Sequence, residues 1–217
     1  MVKIYLIRHG RQESELCNVD VPLADAGRRQ AELCGQRLKE YGIKRLYSSN
    51  LIRAVETAEI INELLNVPYK RFDELEEMNF GFLTGLTDAQ IKEQFGEFIA
   101  ERKEMTSDLK FPGGECGQDV FDRAFPVIRD IAKEADSDNV ESVAIVTHGG
   151  VIRSVLAGIL GCGFENKLVF SRDLENCSLT QIDYDENKDR FYIERVNDYS
   201  HIEKEETLLR KYFKRCL

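Results

Sequence analysis

The sequence VAIVTHGG occupies residues 143–150 and defines the architecture more clearly than any other segment. Its first five residues are apolar or β-branched, and the run stops abruptly at His148 and two glycines. Such a run is typical of a strand buried on both faces of a sheet. The sequence IYLIRHG, residues 4–10, has the same form and stops at His9 and a glycine. We therefore predict two buried strands that each lead into a His-Gly loop.

The rest of the chain predicts strands that alternate with helices. This alternation is typical of a mostly parallel sheet covered by helices on both faces. We expect an α/β fold over residues 1–217, as a single domain of three layers. The main predicted elements are strands near 2–7, 43–47, 67–72 and 142–147, and helices near 25–42, 51–65, 87–105, 118–135 and up to 160.

Three segments are less regular. Residues 86–125 contain predicted helix and loop without a clear strand, so we expect a helical excursion from the sheet. Residues 179–184 and 191–196 flank a polar turn and fit either a hairpin or two successive strands. Residues 203–217 predict a C-terminal helix, whose apolar side would hold Leu208, Leu209, Tyr212 and Phe213.

The carboxyl ends of parallel strands form the ligand crevice in α/β sheets. His9 and His148 both follow such strand ends, so we expect them to meet in one site. They are two of only three histidines in the chain, and we expect the third, His201, at the surface. The excursion at 86–125 would cover the mouth of this crevice. Four phenylalanines could line the mouth or pack in the core: Phe82, Phe95, Phe98 and Phe111.

Composition narrows the possible partners and the location. The chain has 30 Lys and Arg against 39 Asp and Glu, a net charge of -9, so a broad nucleic-acid surface is not expected. A few arginines in one pocket could still bind a small anion. The six cysteines form no C-x-x-C pair, and no stretch has the apolar length of a membrane span. The first residues are too short an apolar run for a signal peptide, so we expect a cytoplasmic protein.

Six ordered segments resemble the motifs of the histidine phosphatase superfamily, also called phosphoglycerate mutase-like. The first is Arg8-His9-Gly10, the RHG signature. The others are Pro22-Leu23 to Gln30-Ala31, Ser48 to Ala58, Leu75 to Gly81, Pro112 to Glu115 and Thr147 to Arg153. The resemblance extends from Met1 to about Thr180 and favours the small bacterial phosphatases of this family.

The resemblance implies a mechanism based on histidine. His9 would be the nucleophile that takes a phosphoryl group from a small phosphorylated metabolite. Arg8 and Arg53 would bind the phosphoryl oxygens, because guanidinium groups match phosphate with paired hydrogen bonds. Glu77 would be the general acid and then the base, with its neighbour Glu76 as the weaker candidate.

The remaining implied roles complete the site. His148 would donate to the phosphoryl oxygens as the cation, and Gly149 with its neighbour Gly150 would add backbone donors at a helix start. No metal and no cofactor are expected, because arginine and histidine side chains supply the positive charge. A homodimer is compatible with the sequence.

The chain departs from the family pattern beside the RHG signature. Arg11 and Gln12 stand where an acidic residue and then Ser or Thr are common, and Glu15 stands where Asn contacts phosphate. An acid beside a phosphate would repel it, so Ser14 is the alternative contact. Leu83-Thr84-Gly85 replaces a common W-E-G sequence, and Cys116 replaces a common serine.

Two other functions remain open. A phosphoglycerate mutase would use the same His9 but return the phosphoryl group to a second hydroxyl, in a site closed to water. The short segment between Glu77 and His148 favours hydrolysis. A non-catalytic phosphate-binding module, or one that reads protein phosphohistidine, is disfavoured because His9 and Glu77 are both present.

Overall fold

The computed structural model describes residues 1–171 and 173–212. Its centre is one six-stranded sheet in the order β3-β2-β4-β1-β5-β6. The strands are β1 (Val2–Arg8), β2 (Arg45–Ser48), β3 (Tyr69–Arg71), β4 (Ser142–Thr147), β5 (Leu179–Asp185) and β6 (Arg190–Asp198). The helices are α1 (Asp25–Leu38), α2 (Ile52–Leu65), α3 (Asp88–Lys103), α4 (Gly117–Ser137) and α5 (Gly149–Leu160).

The apolar run of β1 explains why the sheet lies as a middle layer between two layers of helices. Successive side chains of a strand point to opposite faces, so each face of the sheet needs its own cover. Ile4 and Leu6 belong to a core cluster with residues of α4 and α5. Tyr5 and Ile7 belong to a second cluster with residues of α1 and α2. The predicted α/β domain with helices on both faces is confirmed.

The sheet is mixed. β3, β2, β4 and β1 are parallel to their neighbours, whereas β5 lies antiparallel to β1 and β6 antiparallel to β5. The two C-terminal strands therefore form a hairpin, which was one of the two alternatives. The parallel set carries the loops that follow β1, β2 and β4 to one edge.

The segment 86–125 leaves the sheet as predicted. It consists of helix and loop, with α3 starting at a capping box between Thr87 and Gln90. The backbone of α3 bends at Phe95, whereas Pro126 lies inside α4 without ending that helix. The loop between the two helices includes Phe111, which is buried against the core.

The prediction of a C-terminal helix is wrong in the part that the structure describes. Residues 203–212 contain only two short 3-10 turns, Glu206–Leu208 and Arg210–Tyr212. Leu208 and Leu209 are buried side by side, because contacts to the rest of the domain fix this segment rather than a repeating helical face. Phe213 and the rest of the predicted helix lie outside the described residues.

His201 is also not a surface side chain. Arg37 lies against its Nδ1 at 3.1 Å, and its Nε2 lies 3.0 Å from the carbonyl oxygen of Cys177. Burial, with the neighbouring Arg37, lowers the pKa of His201 to about 4. It is therefore a neutral structural side chain at neutral pH. Separately, no helix among residues 1–171 and 173–212 has the length and apolar character to cross a membrane.

Candidate active site

The carboxyl ends of β1, β2 and β4 bring the two predicted histidines together. Arg8 pairs with Thr147 in the sheet register, so His9 and His148 follow at neighbouring positions. The His9 amide donates to the Thr147 carbonyl at 2.9 Å. The ring centroids of His9 and His148 lie 5.0 Å apart, as the matched strand ends predict.

Three further hydrogen bonds fix the His9 ring and its backbone. Nδ1 lies 2.7 Å from the carbonyl oxygen of Gly10, so Nδ1 is the protonated nitrogen that donates there. Arg53 Nε donates to His9 Nε2 at 3.3 Å, which identifies Nε2 as the unprotonated nitrogen. Asn176 Nδ2 donates to the His9 carbonyl at 2.8 Å and holds the backbone of the loop.

The surroundings keep His9 neutral. Its burial lowers the pKa of His9 well below the usual value, and the nearby charges of Arg53 and Arg8 lower it further. A neutral imidazole with Nδ1–H bound to a carbonyl presents Nε2 as a nucleophile.

Arg53 is held by the irregular loop that follows β1. Its side chain is buried, and its Nη2 and Nη1 donate to Asn18 Oδ1 at 2.9 Å and the Val19 carbonyl at 3.1 Å. Arg8 donates through Nη1 to the Leu174 carbonyl, and its buried Nε has no hydrogen-bond partner. A buried donor without a partner is costly, so Arg8 Nε is suited to an anion that enters the site.

His148 also has a buried nitrogen without a hydrogen-bond partner. Its side chain is fully buried, and Nε2 lies 2.7 Å from the hydroxyl of Ser49, whereas Nδ1 has no hydrogen-bond partner. Burial lowers the pKa of His148 well below the usual value, with Arg53, His9 and Arg8 adding to the effect. This lowered pKa favours the neutral ring, and the cationic His148 expected beside a phosphoryl group stays a prediction. Ser49 can donate to Nε2, which leaves Nδ1–H as a donor.

Glu77 is oriented by two backbone amides, one at the start of α5 and one in its own loop. Its Oε1 accepts from Gly150 N–H at 3.0 Å and from Met78 N–H at 2.9 Å. Glu77 lines the same cavity as His9, whereas Glu76 lines neither cavity described below. Gly150 N–H is thus occupied by Glu77, contrary to the expectation that it faces phosphate. Gly149 borders the adjoining cavity.

Two adjoining cavities are lined by these side chains, except for His148, which lines neither of them. The first, of about 120 Å³, is lined by Arg8, His9, Arg53 and Glu77 together with the loop residues Arg11, Gln12, Ser14, Glu15 and Asn18. The second, of about 160 Å³, shares Arg8, Glu77, Phe80 and Arg210 with the first. The predicted site residues therefore converge on one region. The roles of Ser14 and Glu15 toward a ligand stay predictions.

Some site residues were not predicted from the sequence. Asn18 and Asn176 hold Arg53 and His9, and Arg210 reaches both cavities from the C-terminal segment. The only sequence signal for them is a polar residue in an irregular loop, which is common. Of the four phenylalanines, Phe111 lines the second cavity, Phe95 and Phe98 pack against the core, and Phe82 is 71% exposed.

The donor set of the site is basic rather than metal-binding. Among residues 1–171 and 173–212, no group of three or more His, Cys, Asp or Glu side chains is arranged to hold a metal ion. Guanidinium groups, imidazole rings and backbone amides converge instead, which are donors suited to a phosphoryl group.

Comparison with known proteins assigns the family. The sequence model of the histidine phosphatase superfamily (branch 1) matches residues 4–199. This chain belongs to that superfamily. The resemblance inferred from the six motifs is confirmed, and the α/β architecture is that of phosphoglycerate mutase-like phosphatases.

Relatives of this superfamily member include proteins with either of two described activities. The uncharacterized phosphatase PhoE of Bacillus subtilis is 30% identical over 204 residues, covering 92% of this chain and 97% of that protein. The probable phosphoglycerate mutase GpmB of Salmonella paratyphi B is 28% identical, covering 94% and 96%. The mycobacterial glucosyl-3-phosphoglycerate phosphatase superposes with a TM-score of 0.80 at 26% identity, covering 91% and 99%.

Proposed function

We propose that this protein is a phosphatase that hydrolyses a small phosphomonoester through a phosphohistidine on His9. The state of the His9 ring carries the proposal. Its Nδ1–H is bound to the Gly10 carbonyl, its Nε2 lone pair faces the guanidinium of Arg53, and its pKa is lowered by burial. A neutral, oriented imidazole beside two arginines is suited to attack on a phosphoryl group.

In the first step, His9 Nε2 attacks phosphorus and the bond from phosphorus to the leaving oxygen breaks. Glu77, in its protonated form, gives its proton to that oxygen, so that an alcohol leaves. Arg8 and Arg53 neutralise the charge that builds on the phosphoryl oxygens. The unpartnered Nδ1 of His148 is a further donor to these oxygens, and a bound phosphoryl dianion favours its protonated form.

In the second step, water attacks the phosphohistidine. The carboxylate of Glu77 takes a proton from that water, the bond between Nε2 and phosphorus breaks, and inorganic phosphate leaves. Both steps balance without a metal or a cofactor, so we propose metal-independent turnover. We further propose a cytoplasmic protein whose ligand is a small metabolite rather than nucleic acid or membrane.

A phosphoglycerate mutase is the second candidate. The specific observation in its favour is the basic second cavity, which could hold another charged group of the same molecule. The similarity to relatives described as probable phosphoglycerate mutases also supports this second candidate. A mutase must protect the phosphohistidine from water, so the ratio of hydrolysis to isomerisation separates the two candidates.

The test is phosphate release from p-nitrophenyl phosphate and a panel of phosphorylated metabolites with EDTA present. We expect the wild-type protein to turn over and His9→Gln to lose at least about a thousandfold in kcat, because covalent catalysis is removed. Isomerisation of 3-phosphoglycerate without phosphate release would favour the mutase. Undiminished release by His9→Gln would contradict the proposal.

A further inference from the structure

The peptide group that joins Gly10 to Arg11 lies between the ring of His9 and helix α1. Its carbonyl oxygen, on Gly10, lies 2.7 Å from His9 Nδ1 and accepts from that nitrogen. Its amide, on Arg11, donates to Gln30 Oε1 at 2.9 Å. One planar peptide therefore binds the proposed nucleophile at one end and a side chain of α1 at the other.

The side-chain amide of Gln30 has one orientation that suits both of its backbone partners. Its Oε1 faces the Arg11 N–H, and its Nε2 donates to the Leu208 carbonyl at 2.7 Å. The side chain is fully buried. Exchanging the oxygen and the nitrogen would set a donor against a donor and an acceptor against an acceptor. Gln30 is therefore held with an acceptor toward the peptide.

The backbone of α1 holds the same peptide at close range. The Arg11 carbonyl accepts at 2.9 Å from the amide of Ala24, the residue before α1. A Cβ at Gly27 would overlap the Arg11 carbonyl oxygen, and a Cβ at Gly10 would lie 2.6 Å from the Gly27 carbonyl oxygen. Both positions need glycine because the two backbones approach so closely. The peptide therefore cannot tilt away from His9 without losing its contacts to α1.

Hydrogen bonds in series through a peptide strengthen one another. An acceptor on the peptide N–H shifts electron density toward the carbonyl oxygen, which then accepts more strongly. A stronger acceptor on the Nδ1–H of an imidazole makes the other ring nitrogen more basic. Burial lowers the pKa of His9 most, and the hydrogen bond to the Gly10 carbonyl raises it. Whatever binds the Arg11 amide therefore affects the reactivity of His9 Nε2.

We propose that Gln30 is a positioning residue for the nucleophile: by accepting from the Arg11 amide it fixes and polarises the peptide that orients the His9 ring. The kinetic part of this inference rests on the proposed function, because it assumes that His9 Nε2 attacks phosphorus. Gln30 lines neither cavity, so it acts on the reaction through this peptide and not through the substrate.

Three substitutions separate the acceptor on Arg11 from the general effect of lost hydrogen bonds. Gln30→Met removes both bonds of the amide. Gln30→Glu keeps an oxygen toward the Arg11 amide, as a carboxylate or as a neutral acid. Asn62→Met is the matched control, because Asn62 binds the N–H and the carbonyl of Val67, both at 3.0 Å, and lines neither cavity. Urea unfolding reports whether each variant is folded.

The first arm of the test observes the His9 ring by NMR in the free protein, with histidine isotopically labelled at its ring nitrogens. The chain has three histidines, and the spectrum of His9→Gln assigns the His9 signals. Gln30→Met is expected to move the Nδ1–H proton of His9 upfield, because its acceptor is weakened. Gln30→Glu should move it downfield as the carboxyl group ionises, and Asn62→Met should leave it unchanged.

The second arm is the rate of p-nitrophenol release in the first turnover of p-nitrophenyl phosphate, which reports attack by His9 rather than the later reaction with water. Gln30→Met is expected to slow this release about 10- to 100-fold. The dissociation constant of inorganic phosphate should change less than about threefold, because Gln30 does not touch the ligand. Gln30→Glu should recover most of the rate, and Asn62→Met should keep it.

An unchanged His9 signal or an unchanged first-turnover rate in a folded Gln30→Met would overturn the inference. Equal slowing by Gln30→Met and Asn62→Met would also overturn it, since a general loss of stability would then explain the effect. If Gln30→Met is unfolded, Gln30→Glu decides: a His9 signal that does not move as the carboxyl group ionises contradicts the inference.

The two arms also separate this inference from the proposed function. Turnover by the wild type, with the His9 signal and the rate unchanged in Gln30→Met, would leave the proposed function standing alone. The expected changes in the His9 signal, with no release of p-nitrophenol or phosphate from any compound, would support the positioning of the ring by Gln30 and contradict the phosphatase.

Discussion

At the scale of single residues, the contact between Gly150 and Glu77 fixes the orientation of the carboxylate that we propose as the acid and base. The Gly150 amide donates to Glu77 Oε1 at 3.0 Å, and a Cβ at Gly150 would lie 2.4 Å from that same oxygen. Glycine is required here because the carboxylate and the start of α5 approach closely.

Gly150→Ala should therefore displace the Glu77 carboxylate without unfolding the domain, since the clashing atom ends a flexible side chain. We expect kcat to fall about 10- to 100-fold, within the range for general acid-base catalysis. Gly96→Ala is the control, because a Cβ there meets nothing within 4 Å. Steady-state kinetics on p-nitrophenyl phosphate measure the effect, and equal kcat in the two variants would refute the assigned contact.

The same scale shows what sequence can predict about the site. His9, Arg8 and His148 were predictable because they follow apolar strand runs, and the order of strands carries them to one edge. Arg53 and Glu77 could be predicted only from their match to the family motifs. Asn18 and Arg210 could not be found, because their contacts depend on how an irregular loop and the C-terminal segment pack.

At the scale of elements, one side chain of α1 joins two segments around the site. Gln30 Oε1 accepts from the Arg11 amide at 2.9 Å, and Gln30 Nε2 donates to the Leu208 carbonyl at 2.7 Å. The side chain is fully buried. Gln30 therefore ties the loop after β1 and the C-terminal segment to the same helix.

Gln30→Met should leave both backbone groups unsatisfied and lower the free energy of unfolding by about 2–4 kcal/mol. Gln36→Met on the same helix, at an exposed position, should change it by less than about 0.5 kcal/mol. Urea unfolding of the two variants provides the comparison. A Gln30→Met protein as stable as Gln36→Met would mean that these hydrogen bonds contribute little.

Element boundaries show why the C-terminal prediction failed while the others succeeded. α1, α2 and α4 each present apolar residues at helical spacing to a core cluster, so periodicity is enough to predict them. Within residues 203–212 only Leu208 and Leu209 are buried, and among these residues no buried one lies three or four positions from either of them, as an apolar helical face requires. Polar links such as Arg29 to Glu205, at 2.7 Å, fix that segment instead.

At the scale of the whole molecule, the folded state keeps its three histidines neutral. Burial lowers the pKa of His9, His148 and His201, the last to about 4. In the unfolded chain each histidine titrates near 6.5, so the unfolded state binds more protons as the pH falls. Stability is full above about pH 6.5 and declines as the pH drops toward the folded pKa values.

Between about pH 7 and about pH 5.5 the free energy of unfolding falls in the wild type. In His201→Gln this fall should be smaller by about 1 kcal/mol. Urea unfolding at both pH values, for wild type and variant, measures this change in slope. His201 lines neither of the two cavities, so phosphatase activity at neutral pH should be retained. An identical pH dependence in the two proteins would show that His201 already titrates normally in the folded state.

The charge distribution is also a property of the whole molecule. The chain carries a net charge of -9, yet Arg8, Arg53, Arg102, Arg153 and Arg210 converge on the two cavities. Composition predicts the acidic surface but gives no sign of a local basic site, because the arginines are far apart in sequence.

The most direct test of the central claim is to trap the phosphohistidine. Wild type, Glu77→Gln and His9→Gln would be mixed with p-nitrophenyl phosphate, quenched in base and examined by intact mass and peptide mapping. We predict the added mass of one phosphoryl group on His9, enriched in Glu77→Gln because the attacking water lacks its base. It should be absent in His9→Gln. Phosphate release without any phosphorylated His9, or a phosphoryl group on another residue, would contradict the account.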